Sequence, residues 1–185
     1  MSISNETMTR RIVRYLDLEP KYAEVVNIDN TEYAYEILGD VFENIARGEK
    51  IDLLRNLKIL PPCTPSKIIG LAYNYYDLTE GKKMNPLIFL KSKETIITDS
   101  ETIEISTKIE KIWVEVEIGV IVKNDLYLND IESVTNSIFG YVIANDVTAQ
   151  NIHNRDHHLA YSKSRKTFCP ISQYITTDKI GRAHV

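Results

Sequence analysis

Three carboxylates in this chain are spaced for work on a hard cation. Glu115 and Glu117 stand two apart in Trp113-Val114-Glu115-Val116-Glu117, and Asp146 follows Asn145. The alternate residues Val114, Val116, Ile118, Val120 and Val122 are all β-branched. Residues 113–122 are therefore expected to form a strand with these aliphatics packed on one face. Both glutamates then emerge on the other face, roughly 6–7 Å apart. Carboxylates held that close repel each other unless a proton or cation lies between them. Oxygen-only ligands suit Mg²⁺, Ca²⁺ or Mn²⁺ better than zinc or copper. From spacing alone, a solvated strand face bearing two glutamates is an equally good reading.

Four other groups of residues carry chemistry of their own. Asn74-Tyr75-Tyr76-Asp77 follows the apolar run 67–72, at a strand end where binding residues are often presented; packed tyrosines in a turn are the simpler reading. Lys91 closes Pro86-Leu87-Ile88-Phe89-Leu90, as a solvated edge charge would. Ser162-Lys163-Ser164-Arg165-Lys166-Thr167 mixes cations and hydroxyls suited to an anion, or to a solvated loop. His153 and His157, four apart, would share a helix face, but no third soft ligand lies near them in sequence.

The elements that must position these residues read mainly as strands. Residues 11–16, 22–28 and 32–38 look like short strands, with turns at Glu19-Pro20-Lys21 and Asp29-Asn30. A brief helix is expected over 41–47, ended by Gly48 at a left-handed position. Ile59-Leu60-Pro61-Pro62-Cys63-Thr64-Pro65 punctuates the chain, because prolines force an extended connector. Further strands are expected at 67–72, 87–91, 95–97, 102–105, 113–122, 138–145 and 168–175. A short helix or turn is expected at 130–136, and a polar helix over 147–159. The fold class is β-dominated α+β. A small N-terminal β domain would occupy 1–60 and a larger domain 61–179.

Composition excludes some classes. Hydrophobic residues make up 43% and charged residues 26%, ordinary for a globular protein. With a net charge of −4 and no basic stripe, a nucleic-acid partner is disfavoured. No apolar stretch approaches the ~20 residues of a membrane span, and the polar start lacks a signal-peptide core. Cys63 and Cys169 are far apart and form no zinc motif. A soluble, cytoplasmic protein is expected.

The order of the blocks adds more than any one of them. Leu60-Pro61-Pro62 leads to Lys67-Ile68-Ile69-Gly70-Leu71-Ala72-Tyr73-Asn74-Tyr75. Then come Pro86-Leu87-Ile88-Phe89-Leu90-Lys91, Glu115-Val116-Glu117-Ile118-Gly119-Val120-Ile121 and Gly140-Tyr141-Val142-Ile143-Ala144-Asn145-Asp146-Val147-Thr148-Ala149. Lys163-Ser164 and Thr167-Phe168-Cys169-Pro170 close the series. From about Leu60 to Ile175 this order and spacing resemble the catalytic domain of the fumarylacetoacetate hydrolase family.

The resemblance implies a mixed β-roll, preceded by the small N-terminal unit. It also implies Mg²⁺ (or Mn²⁺, Ca²⁺) held by Glu115, Glu117 and Asp146. Asn74 matches the position of a fourth ligand that is an aspartate in the enzyme naming the family. Family substrates are small 2-oxo acids or their enols, and the metal stabilises the enolate formed in isomerisation, decarboxylation or C–C hydrolysis. Asn74, Tyr75, Lys91, His153 and Lys163 match substrate-facing positions, with Lys163 also in a catalytic role. Relatives are commonly homodimers.

Two departures qualify the resemblance. The His and Glu of the family's lid dyad fall at Leu78 and Gly81, leaving Glu80 as the nearby carboxylate for proton transfer. Isomerisation or decarboxylation then gains over hydrolysis, and a non-catalytic metal or dicarboxylate binder is the alternative. The family domain also continues beyond Cys169-Pro170, so the β-roll is expected to be incomplete at its C-terminus. The hexapeptide Ile180-Gly181-Arg182-Ala183-His184-Val185 resembles a translated sequencing adapter and is set aside as a non-native tail.

Overall fold

The computed structural model describes residues 9–43, 45–75, 85, 87–127, 130–152 and 158–177. Its N-terminal part is an antiparallel meander of β1 (Arg11–Leu16), β2 (Pro20–Ile28) and β3 (Thr31–Leu38). Asp29 and Asn30 turn β2 into β3 with φ of 49° and 61°. A two-residue hairpin loop needs left-handed backbone at both positions, and Asp and Asn tolerate it. Strand β4 (Ala46–Leu53) pairs with β3, and β5 (Lys58–Leu60) pairs with β1.

The helix expected over 41–47 is absent, since Val41 lies in a turn and β4 begins at Ala46. Ladder pairing of Leu38 with Ala46 and of Ile37 with Arg47 takes this segment. Arg47 also donates to the buried Glu24 carboxylate at 2.8 and 2.9 Å. That hydrogen bond holds Glu24 below the usual carboxylate range despite its burial. Gly48 sits inside β4, where a Cβ would come within 2.9 Å of Glu36 Oε2. Among the described residues, the left-handed glycine is Gly39, at φ 89°.

The chain continues through β6 (Ile68–Ala72), β7 (Leu87–Lys91), β8 (Ile96–Thr98), β9 (Ile112–Trp113) and β10 (Val116–Val122). Helix α1 (Ile131–Asn136) starts at Asp130, whose Oδ1 accepts from the Ser133 N–H at 2.7 Å. Then follow β11 (Ile138–Asn145), β12 (Thr148–Ala149), α2 (Leu159–Lys163), β13 (Cys169–Ile171) and β14 (Ile175–Thr176). Strands dominate, as the sequence implies.

Several expected boundaries shift. Residues 113–122 are two strands with Val114 and Glu115 between them. Thr148 and Ala149 pair with Trp113 and Ile112 instead of opening a helix. Residues 102–105 carry no strand pairing, because the Thr167 hydroxyl takes the Glu104 N–H at 2.8 Å. Ser172, bonded both ways to Ile143, interrupts 168–175.

By internal contacts the chain forms two units. One draws its described residues from 1–62, 118–144 and 171–185, the other from 63–117 and 145–170. In the first, strands run in the order β4-β3-β2-β1-β14-β11, with β10 beside β11. Its core is Val13, Tyr15, Ala23, Val25, Ala34 and Leu54. Ile118, Val120 and Val122 of β10 are exposed, which reverses the packing expected of them. The face turned toward β11 is built on Gly119, where a Cβ would come within 2.6 Å of Val142 Cγ2. In the second unit β6 pairs with β7 and β9 with β12, and Phe168, Val147 and Ala149 form the core.

In the first unit the Tyr174 hydroxyl donates to Glu32 Oε2 at 2.8 Å, and Arg11 bonds the other Glu32 oxygen at 2.6 Å. Burial, then the Glu32 carboxylate, push the Tyr174 phenol up from 10.0 to about 12. The folded chain therefore holds this proton more tightly than the unfolded chain. The stability it contributes is intact below pH 10.0 and is lost as pH rises through about 12. Tyr174→Phe is expected to flatten this part of the alkaline decline, read from urea midpoints across that window. Identical slopes in the two proteins would refute the linkage.

Candidate functional site

Asp146 and Glu115 are brought together by main-chain bonds. The Asp146 N–H donates to the Glu115 carbonyl at 2.8 Å, and Asn145 Oδ1 accepts from the Glu115 N–H at 3.2 Å. The β9–β12 pairing continues this ladder, with the Gln150 N–H bonded to the Lys111 carbonyl at 2.9 Å. Thr148, two residues beyond Asp146, joins the same group. The two carboxylates are therefore held by backbone rather than by flexible side chains alone.

Two ammonium groups meet them. Lys163, the last residue of α2, places its Nζ 2.8 Å from Glu115 Oε2, 2.7 Å from Asp146 Oδ2 and 2.7 Å from Thr148 Oγ1. Helix α2 packs on β12 and β7, which aims Lys163 inward. The Thr148 hydroxyl in turn donates to Glu115 Oε1 at 3.2 Å. Lys91, from the end of β7, bonds Asp146 Oδ1 and donates to the Phe168 carbonyl at 2.8 Å. Its side chain is 3% exposed and that of Lys163 is 6%. Burial works against the charge of Lys163, but the hydrogen bonds to Asp146 and Glu115 outweigh it and raise its pKa above the ordinary lysine value.

A glycine makes room for the floor of this group. Gly70 of β6 lies opposite Phe89 of β7, and a Cβ at Gly70 would come within 2.2 Å of the Phe89 Cζ. The Phe89 ring thus lies against β6 backbone, with the Lys163 ammonium 5.2 Å from its centroid.

The carboxylates expected to act as a trio divide. Glu115 and Asp146 share Lys163, whereas Glu117 Oε2 accepts from the Tyr75 hydroxyl at 2.8 Å. That bond raises the Tyr75 pKa. Tyr75 follows Tyr73, which bends the chain with φ 56°, and Asn74, which is exposed. Among the described residues, no three His, Cys, Asp or Glu side chains stand together as a metal group. The donor set still fits a hard cation, since three oxygens from three residues converge on one positive nitrogen. Glu80, His153 and residues 180–185 lie outside the described residues.

Thr148, Asn145 and the Phe168 carbonyl were not among the residues singled out from sequence. Thr148 stands two residues beyond Asp146 in the same block, but a helix was expected to begin between them, so the shared site was not legible. The Phe168 carbonyl had no signal, since a main-chain acceptor carries no side-chain signature.

The family description fumarylacetoacetate (FAA) hydrolase C-terminal matches residues 67–184, more than half of the chain. The chain belongs to the fumarylacetoacetate hydrolase family. Within that family it is 28% identical over 138 residues to an oxaloacetate tautomerase of Xenopus laevis, covering 70% of this chain and 43% of the relative. It is 29% identical over 126 residues to an oxaloacetate decarboxylase of Dictyostelium discoideum, covering 63% and 58%. The fold is similar to that of a 5-carboxymethyl-2-hydroxymuconate delta-isomerase from Mycobacterium smegmatis, with TM-score 0.81 and 24% identity over 92% of this chain and 68% of that one. The chain spans between 43% and 64% of the length of the curated relatives it matches. Among the described residues, no helix is long and apolar enough to cross a membrane.

Proposed function

We propose that this protein is the metal-binding part of an enzyme acting on small 2-oxo acids or their enols, by tautomerisation or decarboxylation. The observation that carries this reading is the ring of Glu115, Asp146 and Thr148 oxygens around one positive nitrogen, with a second ammonium, Lys91, behind Asp146. Relatives named as an oxaloacetate tautomerase and an oxaloacetate decarboxylase support the same substrate class.

Glu115, Glu117 and Asp146 would hold Mg²⁺ or Mn²⁺, with Glu117 turning from Tyr75. When bound, the ion supplies Lewis-acid stabilisation of a developing enolate oxygen. The remaining work belongs to the chain. Lys91, fixed between Asp146 and the Phe168 carbonyl, orients the Asp146 carboxylate. Lys163 would offer its positive charge to a substrate carboxylate or enolate. Were Glu117 to turn to the ion, the Tyr75 hydroxyl would be freed as a donor at the rim, beside Asn74.

Keto–enol equilibration of oxaloacetate, followed by enol absorbance, tests the proposal. Mg²⁺-dependent acceleration that chelation abolishes is expected. The same rate with protein as without it, at saturating Mg²⁺, overturns the tautomerase reading, and absence of pyruvate overturns the decarboxylase one.

A further inference from the structure

The four oxygens of Glu115 and Asp146 are all engaged. Asp146 Oδ1 is taken by Lys91, Asp146 Oδ2 and Glu115 Oε2 by Lys163, and Glu115 Oε1 by the Thr148 hydroxyl. Each of these oxygens keeps a second lone pair, so what opposes a divalent cation here is charge, not a lack of acceptor sites. The ion would lie close to an ammonium bonded to the same oxygens, where like charges repel strongly in a partly buried setting.

The two lysines are not equally free to leave. Lys91 sits on the β7 ladder and is tied to the main-chain carbonyl of Phe168, a residue of the core. Lys163 ends a five-residue helix, and among the described residues its Nζ bonds three side-chain oxygens of the cradle. We propose that Lys163 is a resident counter-cation that holds the carboxylate cradle in the metal-free protein and is exchanged out when a divalent ion enters. Loading the ion and presenting the Lys163 ammonium to an anionic substrate are then a single event. The inference rests on the metal half of the proposed function and is independent of which oxo acid is turned over.

The arrangement has two consequences for the metal-free protein. The neutralised cradle keeps its carboxylates in place without a metal, because Lys163 and Lys91 offset their charge. The same neutralisation weakens the intrinsic pull on the ion, since part of the gain is spent displacing an ammonium. Removing the ammonium while keeping an apolar stem of similar length should then tighten ion binding and destabilise the empty protein.

Mn²⁺ alone is the probe, with free ion measured by electron paramagnetic resonance. Lys163→Met is expected to bind Mn²⁺ on the order of tenfold more tightly than the wild-type protein. Lys166→Met, which removes an exposed lysine paired with Glu104, should bind as the wild type does. The Lys163→Met protein should also melt lower without metal and gain more in melting temperature on Mn²⁺ saturation. Equal or weaker Mn²⁺ binding by Lys163→Met overturns the exchange. A wild-type structure with Mn²⁺ bound provides a second measurement that does not depend on how the variant folds. Nζ displaced from Asp146 Oδ2 and Glu115 Oε2 supports exchange, and Nζ still bonded to both overturns it. Failure of both proteins to bind Mn²⁺ overturns exchange and the metal reading together. Mn²⁺ binding with no oxo-acid turnover removes only the proposed reaction.

Discussion

Asp146→Ala is expected to cost about 3–5 kcal/mol of stability, far more than its small loss of packed volume would. The reason lies in what it leaves behind. Lys91 has a side chain only 3% exposed, and Asp146 is its carboxylate partner. Without that partner the ammonium keeps one neutral carbonyl, from Phe168, in surroundings that solvate charge poorly. Lys163 loses one of three oxygens at the same time. Urea denaturation measures the loss, and the double variant Asp146→Ala/Lys91→Met separates its causes. If stranded charge dominates, the double variant recovers most of the deficit; a deficit that persists assigns the loss to packing and backbone. Asp146→Asn keeps the shape but removes the charge, so Mg²⁺-dependent turnover is expected to vanish even where the fold survives.

Phe168→Ala should destabilise the protein by about 3–5 kcal/mol, the range for deleting a buried aromatic side chain. Phe168 has no exposed surface and packs with Val147 and Ala149, bordered by Ile103, Ile109 and Ile112. Its effect extends to the site through the main chain. The Phe168 carbonyl accepts from Lys91 and from the Val147 N–H at 3.2 Å, one residue from Asp146. The preceding Thr167 is a β-branched residue at φ 68°, a conformation that persists only where packing enforces it. Emptying the Phe168 cavity removes that enforcement, so Mn²⁺ affinity should fall together with stability. Phe168→Leu is expected to lose less of both. Wild-type Mn²⁺ affinity in a destabilised Phe168→Ala protein would sever the link between core and cradle.

Much of the fold can be read from local chemistry, and its failures share a cause. The Asp29–Asn30 hairpin was legible because a two-residue turn needs residues that tolerate left-handed backbone, and Asp and Asn do. Asp146 was legible as the residue delivered by an apolar strand. The outward face of β10 was not, although its alternation was plain. Alternation says which residues share a face and is silent on which face meets the core. Gly119, where Val142 approaches too closely for a side chain, carried that information. The helix expected over 41–47 failed for a related reason. Its segment had helical punctuation, but Arg47 belongs to a buried carboxylate 23 residues away. Lys91 looked like an edge charge because nothing local reveals a partner 55 residues further along the chain. Family order pointed to Glu115, Asp146, Lys91 and Lys163, which stand together, and to Glu117, which stands apart on Tyr75. It did not reveal that the lysines neutralise the carboxylates directly.

The position of β14 has a consequence for how the protein is made. In its unit, β14 stands between β1 and β11, with Thr176 opposite both Arg11 and Tyr141. The β2–β3 hairpin needs only neighbouring residues and can close within about 1–10 μs of leaving the ribosome. The Arg11–Ile12 half of β1 must instead wait for the strand that carries Ile175 and Thr176. At roughly 5–20 residues per second of synthesis, that wait is on the order of ten seconds or more. For all that time the Arg11–Ile12 edge stands open, a template for pairing with other nascent chains. Translation speed between the codons for Ile12 and Ile175, and chaperone occupancy of β1, β2 and β3, should therefore govern the yield of folded protein.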